Sequence, residues 1–390
     1  MQRRLRTVAS GLALTVFALV GTPGLAGAAP KAHAEPLETT DHYVVHTSEI
    51  PVIKGQVDHL YVQQTRLAED KGASRGAVVI VHGATYPTET AFNLRYQDYS
   101  YTDFLARQGF DVYTMDMEGY GPSSRPWPME DPCNLSASDQ DLVGPVTPQP
   151  CGDPSYAKVL STNQAEWSAL DSVVDWVRAR DGVDKVNLVG WSMGGMRTGG
   201  YASSHPDKVN RLVLFAPAYA PTSPDSPPAE QPDGAPYTVS NHDQFLTRWN
   251  AEVDPAQCPG QVDPGAQEQM WQQNLAADPV AATWGVGFIR RPMSVNTGWN
   301  QAAAARVSAP TLLIAGDLDR TVPPESVYQL YNDLGSREKL YLQVHCGSHF
   351  ALNESQYRML QQVTANWLQQ QPIAGQHTGV VQSTQLAGGR

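Results

Sequence analysis

Near the middle of the 390-residue chain, Gly190-Trp191-Ser192-Met193-Gly194 matches the pattern G-x-S-x-G. A serine at that spacing becomes a nucleophile when the backbone turns sharply beneath it. Glycines two before and two after let the neighbouring segments pack closely enough for such a turn. The turn lifts Oγ out of a sheet and aims the first N–H groups of the following helix at any oxygen bound beside it. The chemistry is attack of a hydroxyl on an electrophilic carbon. It needs a base for the hydroxyl proton, an acid to orient that base, and donors for the oxyanion.

Each part has a candidate. His349 follows the apolar run Lys339–Val344 in Cys346-Gly-Ser-His349, where a Gly-Ser turn can swing the ring away from the strand; His345 is the alternative, placed as the strand's own end. Asp319 lies in Gly316-Asp-Leu-Asp319 after the run Pro310–Ala315, with Asp317 as competitor on the same loop and Asp225 as a more remote option. The backbone N–H groups of Met193, just after the serine, and of Ala84, just after His82-Gly83, are the oxyanion donors. His82 itself reads as structural. Tyr86 and Trp191 are either substrate-pocket walls or simple rim packing. The other histidines have bland roles: His42, His46 and His59 in opening strands, His205 at a helix end, His242 in an insertion and His377 in the tail.

These residues need elements to hold them. Tyr43–His46 and Leu60–Gln64 suit an antiparallel pair. Ala77–Val81 is a continuous β-branched run of the kind buried on both faces of a parallel sheet; Asn187–Val189 and Arg211–Phe215 read as further buried strands, and Asp111–Asp116 as the strand after Ala77–Val81. Between them, Tyr101–Gln108 and Gln164–Arg180 carry helical stripes. Ser124–Pro154, rich in Pro, Asp and Ser, reads as an excursion without elements. From Pro217 to Trp299 the alternation stops; it resumes with Pro310–Gly316, a helix over Glu325–Leu334, the strand Lys339–Val344 and a helix over Ser355–Gln369. A pattern interrupted once and resumed implies one α/β core with an insertion: core 35–216, insertion 217–299, core 300–371. In a parallel sheet the loops after the strands gather at one rim, which is where Ser192, Asp319, His349 and Ala84 fall.

Residues 1–34 read as a signal peptide. Arg3, Arg4 and Arg6 precede the apolar run Gly11–Val20, which is too short to span a bilayer, and small-x-small sites end at Ala28 and Ala34. The chain is thus expected to be secreted or periplasmic. Residues 1–34 hold four basic residues and no acid, so what remains is more acidic than the whole chain's net charge of −12. That excludes nucleic acid and anionic membranes as expected partners. Cys133, Cys151, Cys258 and Cys346 suit an oxidising compartment. Three pairings are possible; Cys133–Cys151, closing a short Pro-rich loop, with Cys258–Cys346 is favoured. Without a C-x-x-C or a His cluster, no metal or cofactor is expected. Residues 372–390, polar and without period, read as a flexible tail.

His82-Gly83, the loop Asp116–Ser123, Gly190–Gly194, Gly316-x-x-Asp319 and Gly347-Ser-His349 together resemble the α/β-hydrolase superfamily of serine hydrolases, of the esterase and lipase kind, bearing a cap. The resemblance covers about Val78 to Phe350. It implies an α/β-hydrolase fold: a mostly parallel eight-stranded sheet with helices on both faces and a cap between core strands six and seven. It implies also the triad Ser192–His349–Asp319, in the chain order Ser, Asp, His of that fold. Ser192 departs from the aspartate that epoxide or haloalkane chemistry would require. The cysteine-bearing loop at Ser124–Pro154 is longer than a minimal member needs, so the family's substrate preferences transfer poorly. The expected activity is hydrolysis of a carboxylic ester or lactone of small-molecule size. The alternatives are the same triad on a carbon–carbon bond or an amide, or a non-catalytic binding protein on this scaffold. Oligomeric state is not legible.

Overall fold

The computed structural model describes residues 35–69, 74–144, 146 and 150–386. The expected signal peptide lies outside them. The chain opens with the antiparallel pair β1 (Leu37–Thr47) and β2 (Val57–Leu67), in register Tyr43 opposite Tyr61. Then come β3 (Ala77–Val81), α1 (Thr88–Phe92), α2 (Tyr101–Arg107) and β4 (Asp111–Met115). Every residue of β3 and β4 is buried, as a strand with both faces covered requires. After a cysteine-bearing loop with the short helix α3 (Ala137–Val143) follow β5 (Ser161–Thr162), α4 (Asn163–Asp181), β6 (Val186–Trp191), α5 (Met193–Ser204) and β7 (Val209–Phe215).

The stretch up to the next sheet strand contains β8 (Tyr237–Ser240), α6 (His242–Asn250), α7 (Pro264–Ala277), β9 (Ile289–Pro292), β10 (Ser294–Val295) and α8 (Gln301–Ala304). The fold closes with β11 (Thr311–Gly316), α9 (Pro324–Asp333), β12 (Lys339–Val344), α10 (Tyr357–Leu368) and β13 (Gly379–Gln382). The central sheet runs β1-β2-β4-β3-β6-β7-β11-β12-β13. Only the β1/β2 and β2/β4 pairings are antiparallel; the others are parallel. Two helical rows flank it, α2 on α10, and α4 on α5, α5 on α8, α8 on α9. This is the α/β-hydrolase fold.

Helix α4 shows how local sequence sets an element. Thr162 caps its N-terminus by accepting from the Ala165 N–H at 3.1 Å, and Gly182 ends it in the left-handed region at φ 66°. Its buried stripe Leu170, Val173, Val174 and Val177 faces the sheet. The neighbouring α5 is almost wholly buried although four of its residues are glycine, each costing up to about 1 kcal/mol of helix propensity. Close approach is the compensation: a Cβ at Gly199 would lie 2.6 Å from the Trp299 ring, and one at Gly200 would run into Trp167.

Three differences from the sequence reading have physical reasons. The sheet has nine strands, because the supposed tail supplies β13, which pairs with β12 in parallel. The segment is polar overall, but a strand needs only alternate apolar residues, and Val381 is fully buried. The loop from Ser124 is also not element-free: Ser136 accepts from the Asp139 N–H at 3.2 Å and starts α3. Cys133 and Cys151 are joined across this loop, with Cα atoms 5.3 Å apart. Finally, the stretch 217–299, where the alternation stops, has elements of its own, two helices and an antiparallel β8/β9 pair among them, and adds no strand to the central sheet. Its Trp249, Trp271, Trp284 and Trp299 are all buried, the first at 0 % exposure.

Candidate active site

Ser192 stands at the β6–α5 turn with φ 58° and ψ −119°, a conformation that costs free energy for any residue with a Cβ. The surroundings over-determine it. Its N–H donates to the Phe215 carbonyl at 2.9 Å, and its carbonyl accepts from Gly195 and Ala218. The flanking glycines are sterically compelled. A Cβ on Gly190 would overlap the Gly194 carbonyl, and one on Gly194 would overlap the Val81 carbonyl and sit 2.6 Å from that of His82.

The loops that carry Asp319 and His349 meet at a second pair of glycines. A Cβ on Gly316 would collide with the Gly347 carbonyl, and one on Gly347 would lie 3.2 Å from Gly316 Cα. That contact brings the loops after β11 and β12 together. His349 Nε2 is 3.0 Å from Ser192 Oγ, and its Nδ1 is 2.8 Å from Asp319 Oδ2. Asp319 is 3 % exposed, and its other oxygen accepts from the Val322 N–H at 2.7 Å. The two competitors find each other instead: the exposed His345 pairs with Asp317 at 2.8 Å. Asp225 accepts from Asn300.

The N–H groups of Met193 and Ala84 donate to no group among the described residues, and both residues are half-buried. Gly83 sets Ala84 beside the serine, a Cβ there being 3.1 Å from Ser192 Cβ. Tyr120 donates to the Ala84 carbonyl. His82 takes one tautomer: Nδ1–H donates to the Gly83 carbonyl at 2.6 Å and Nε2 accepts from the Met117 N–H at 3.1 Å. Burial, with the Arg197 guanidinium nearby, holds its pKa well below the usual histidine value, so the ring is neutral. Trp191 and Tyr86 are both buried, stacked with centroids 6.1 Å apart, and Tyr86 also meets Phe245 and Phe350. Trp191 Nε1 donates to the His349 carbonyl at 2.9 Å.

Four charged residues around the site escaped the sequence reading. Arg197 is 1 % exposed, pairs through two bonds with Glu166 at 2.9 and 3.0 Å, and donates to the carbonyls of His82 and Gly83. It thereby fixes the strand end that carries Ala84. Glu354 receives Trp249 Nε1, Gln261 Nε2 and both the N–H and hydroxyl of Ser348. Burial still pushes its pKa above the ordinary carboxylate value. Glu252 accepts from the His349 N–H and from Thr321 Oγ1, both at 2.7 Å. Cys258 and Cys346, 88 positions apart in sequence, are bonded with Cα atoms 5.7 Å apart. The only signal that could have found the carboxylates was an acid within an otherwise apolar or Gln-rich stretch, which is too common to single out.

A nucleophile, an imidazole and a buried carboxylate in line, on this sheet, define a class, the serine hydrolases of α/β-hydrolase fold. A family model described as "Serine aminopeptidase, S33" (Hydrolase_4) matches residues 72–356, more than half of the chain, and the chain belongs to that family. Among solved structures it is similar to a serine hydrolase involved in carbazole degradation, the CarC enzyme, with a TM-score of 0.52 and 16% identity; the match covers 86% of this chain and 100% of that one. A serine hydrolase of the polyaromatic-hydrocarbon-degrading Cycloclasticus zankles gives a TM-score of 0.50 and 12% identity over 84% and 98% of the two chains. These likenesses speak for the fold alone. Shorter stretches resemble the poly(3-hydroxyalkanoate) polymerase subunit PhaC of Haloferax mediterranei, at 31% identity over 30% of this chain and 18% of that one. The 1-acylglycerol-3-phosphate O-acyltransferase ABHD5 of Sus scrofa matches at 28% over 31% and 26%. The match thus spans about a quarter or less of these curated relatives' length. No helix among the described residues is long and apolar enough to cross a membrane.

Proposed function

We propose that this protein hydrolyses a carboxylic ester or lactone of small-molecule size through an acyl-enzyme formed on Ser192. His349 takes the hydroxyl proton at Nε2 as Oγ attacks the carbonyl carbon, and returns it to the leaving alkoxide. Asp319 holds the proton on Nδ1 and balances the imidazolium. The N–H groups of Met193 and Ala84 receive the tetrahedral oxyanion. Water, activated by the same imidazole, attacks the acyl carbon, releases the acid and restores Ser192. Neither metal nor cofactor enters the scheme.

The observation that carries this reading is the continuous path from Ser192 Oγ through His349 to the buried Asp319, at 3.0 and 2.8 Å. We assign residues 217–299 to a cap over the site; the packing of Phe245 against Tyr86 supports the covering role, and in this reading Tyr86 and Trp191 form the apolar wall of an acyl pocket. The family's description favours one second reading, the same triad acting on the amide of a peptide N-terminus. Two disulfides support residence in a secreted or periplasmic compartment after removal of residues 1–34.

The test is initial rates on p-nitrophenyl esters of increasing acyl length, beside aminoacyl anilides, for the chain and for Ser192→Ala. Ester turnover that peaks at one length and vanishes in the variant is the expected result. Turnover of anilides but not esters selects the amide reading. Absence of both, with no labelling by a fluorophosphonate, refutes the triad.

A further inference from the structure

Glu252 follows α6, far in sequence from the catalytic residues, yet it is 5 % exposed and its carboxylate is bonded to two of the loops that form the site. One oxygen receives the backbone N–H of His349 and the other receives the hydroxyl of Thr321, two residues beyond Asp319. Among the described residues no side-chain cation lies within 4.0 Å of it. Burying a carboxylate that way is unfavourable unless a positive charge arises to meet it. One does arise in the scheme above. When His349 accepts the serine proton, a full charge appears on the ring of the residue whose backbone Glu252 already holds.

Resting on the Ser192–His349–Asp319 reading, we propose that Glu252 is a positioning residue of the triad. It couples the acid and base loops through one carboxylate and stabilises the imidazolium from the backbone side. Asp319 does so from the ring side. The segment 249–261 is built to hold it there: Trp249 and Gln261 donate to Glu354, which grips Ser348, and Cys258 is bonded to Cys346. Three links thus join this segment to the loop that carries His349. The charged groups around that loop are Asp319 on the ring, Glu252 on the backbone, Glu354 through Ser348, and the exposed Asp317–His345 pair.

The sign follows from electrostatics. Without the Glu252 charge the imidazolium formed during attack is less stable, so the acidic limb of the rate profile moves to lower pH, by about one pH unit. Glutamine keeps both contacts, its oxygen accepting from His349 and its amide donating to Thr321 Oγ1, while removing the charge. Alanine removes both.

The experiment measures the second-order rate of fluorophosphonate labelling of the full chain against pH, with the urea midpoint of each variant as a check on folding. Expected for Glu252→Gln is a wild-type midpoint, an acidic limb about one pH unit lower and a plateau about tenfold slower; Glu252→Ala is slower still, by about a hundredfold. Wild-type rates and limb in a folded Glu252→Gln overturn the electrostatic role, and the same result in Glu252→Ala overturns the proposal entirely. An unmoved limb with equal loss in both variants reduces Glu252 to scaffold and also overturns it. If wild type itself is not labelled, the triad reading fails first, and that outcome is distinct from the others. Should Glu252→Ala not fold, Glu252→Gln decides.

Discussion

Replacing Asp319 by asparagine exchanges one oxygen for an amide NH2, and the contacts on both sides dictate how the new side chain must sit. The Val322 N–H points at one carboxylate oxygen from 2.7 Å, and the His349 Nδ1–H points at the other from 2.8 Å. Both neighbours donate, and asparagine has one acceptor to offer. If its oxygen stays with His349, the NH2 confronts the Val322 N–H and two buried donors go unsatisfied, at about 1–3 kcal/mol each, or a factor of about 30 or more in population. The favoured orientation therefore turns the oxygen to Val322 and the NH2 to the imidazole. His349 must then accept at Nδ1 and carry its proton on Nε2, where it can no longer take one from Ser192. Loss of the negative charge beside the imidazolium adds to this. The expected fall in kcat at neutral pH is about 10³ to 10⁴, in line with the roughly 10⁴ lost on the same exchange in chymotrypsin-type triads. Folding should be little affected. The assay is fluorophosphonate labelling together with ester turnover, with Asp317→Asn as the matched control, since Asp317 sits on the same loop but pairs with the exposed His345. A loss of less than tenfold in Asp319→Asn, or a larger loss in Asp317→Asn, would refute the assignment of the acid.

Gly194→Ala should cost about 3 kcal/mol or more and abolish activity, because the new Cβ meets the carbonyls of Val81 and His82 in β3 and its end; urea unfolding at the wild-type midpoint would refute the close packing of the turn. Asp116, fully buried, has its pKa pushed by burial from an ordinary 3.8 up to about 7. The folded state therefore prefers the protonated acid. The penalty for ionising it is absent below about pH 4, grows as pH rises and is complete above about pH 7, reaching up to about 4 kcal/mol. Asp116→Asn should remove that component, so its stability between about pH 4 and pH 8 falls less than the wild type's; parallel curves would show that the carboxyl is solvated.

Much of the fold was legible because parallel strands buried on both faces leave little choice of residue. Ala77–Val81 and Thr311–Ala315 are apolar or β-branched at every position and stand as β3 and most of β11. The serine turn was legible for the converse reason: two glycines are required where backbone carbonyls pass within a Cβ's reach. The strand β13 was hidden because one buried valine in a polar stretch carries almost no signal. The helices between Pro217 and Trp299 were hidden by mixed composition, and in α7 the buried Gln267 and Asn274 dilute the short apolar stripe of Ala266, Met270 and Trp271. Which of Asp317 and Asp319, or His345 and His349, faces Ser192 depends on how two loops leave their strands, and a shift of two or four residues decides it. The carboxylates of Glu252 and Glu354 were beyond reach altogether. The bond from His349 to Glu252 spans 97 positions, and nothing local to either end announces it.

The difference between the two halves of the site has a consequence for recombining it. Ser192 and the Ala84 loop are held chiefly by glycine contacts and the Arg197–Glu166 pair, all within residues 81–198, with one further bond to the Ser192 carbonyl from the Ala218 N–H. The histidine is held from outside that segment, by Glu252, Trp249, Gln261 and Cys258. The stretch between β7 and β11 is therefore not an interchangeable part. A chimera that takes this stretch from another family member would import a new sequence there and at the same time discard the acceptor of the His349 N–H, two donors to Glu354 and one half of a disulfide. Such grafts should be drawn with residues 249–261 left in place, so that the joints fall on either side of the segment that grips the His349 loop.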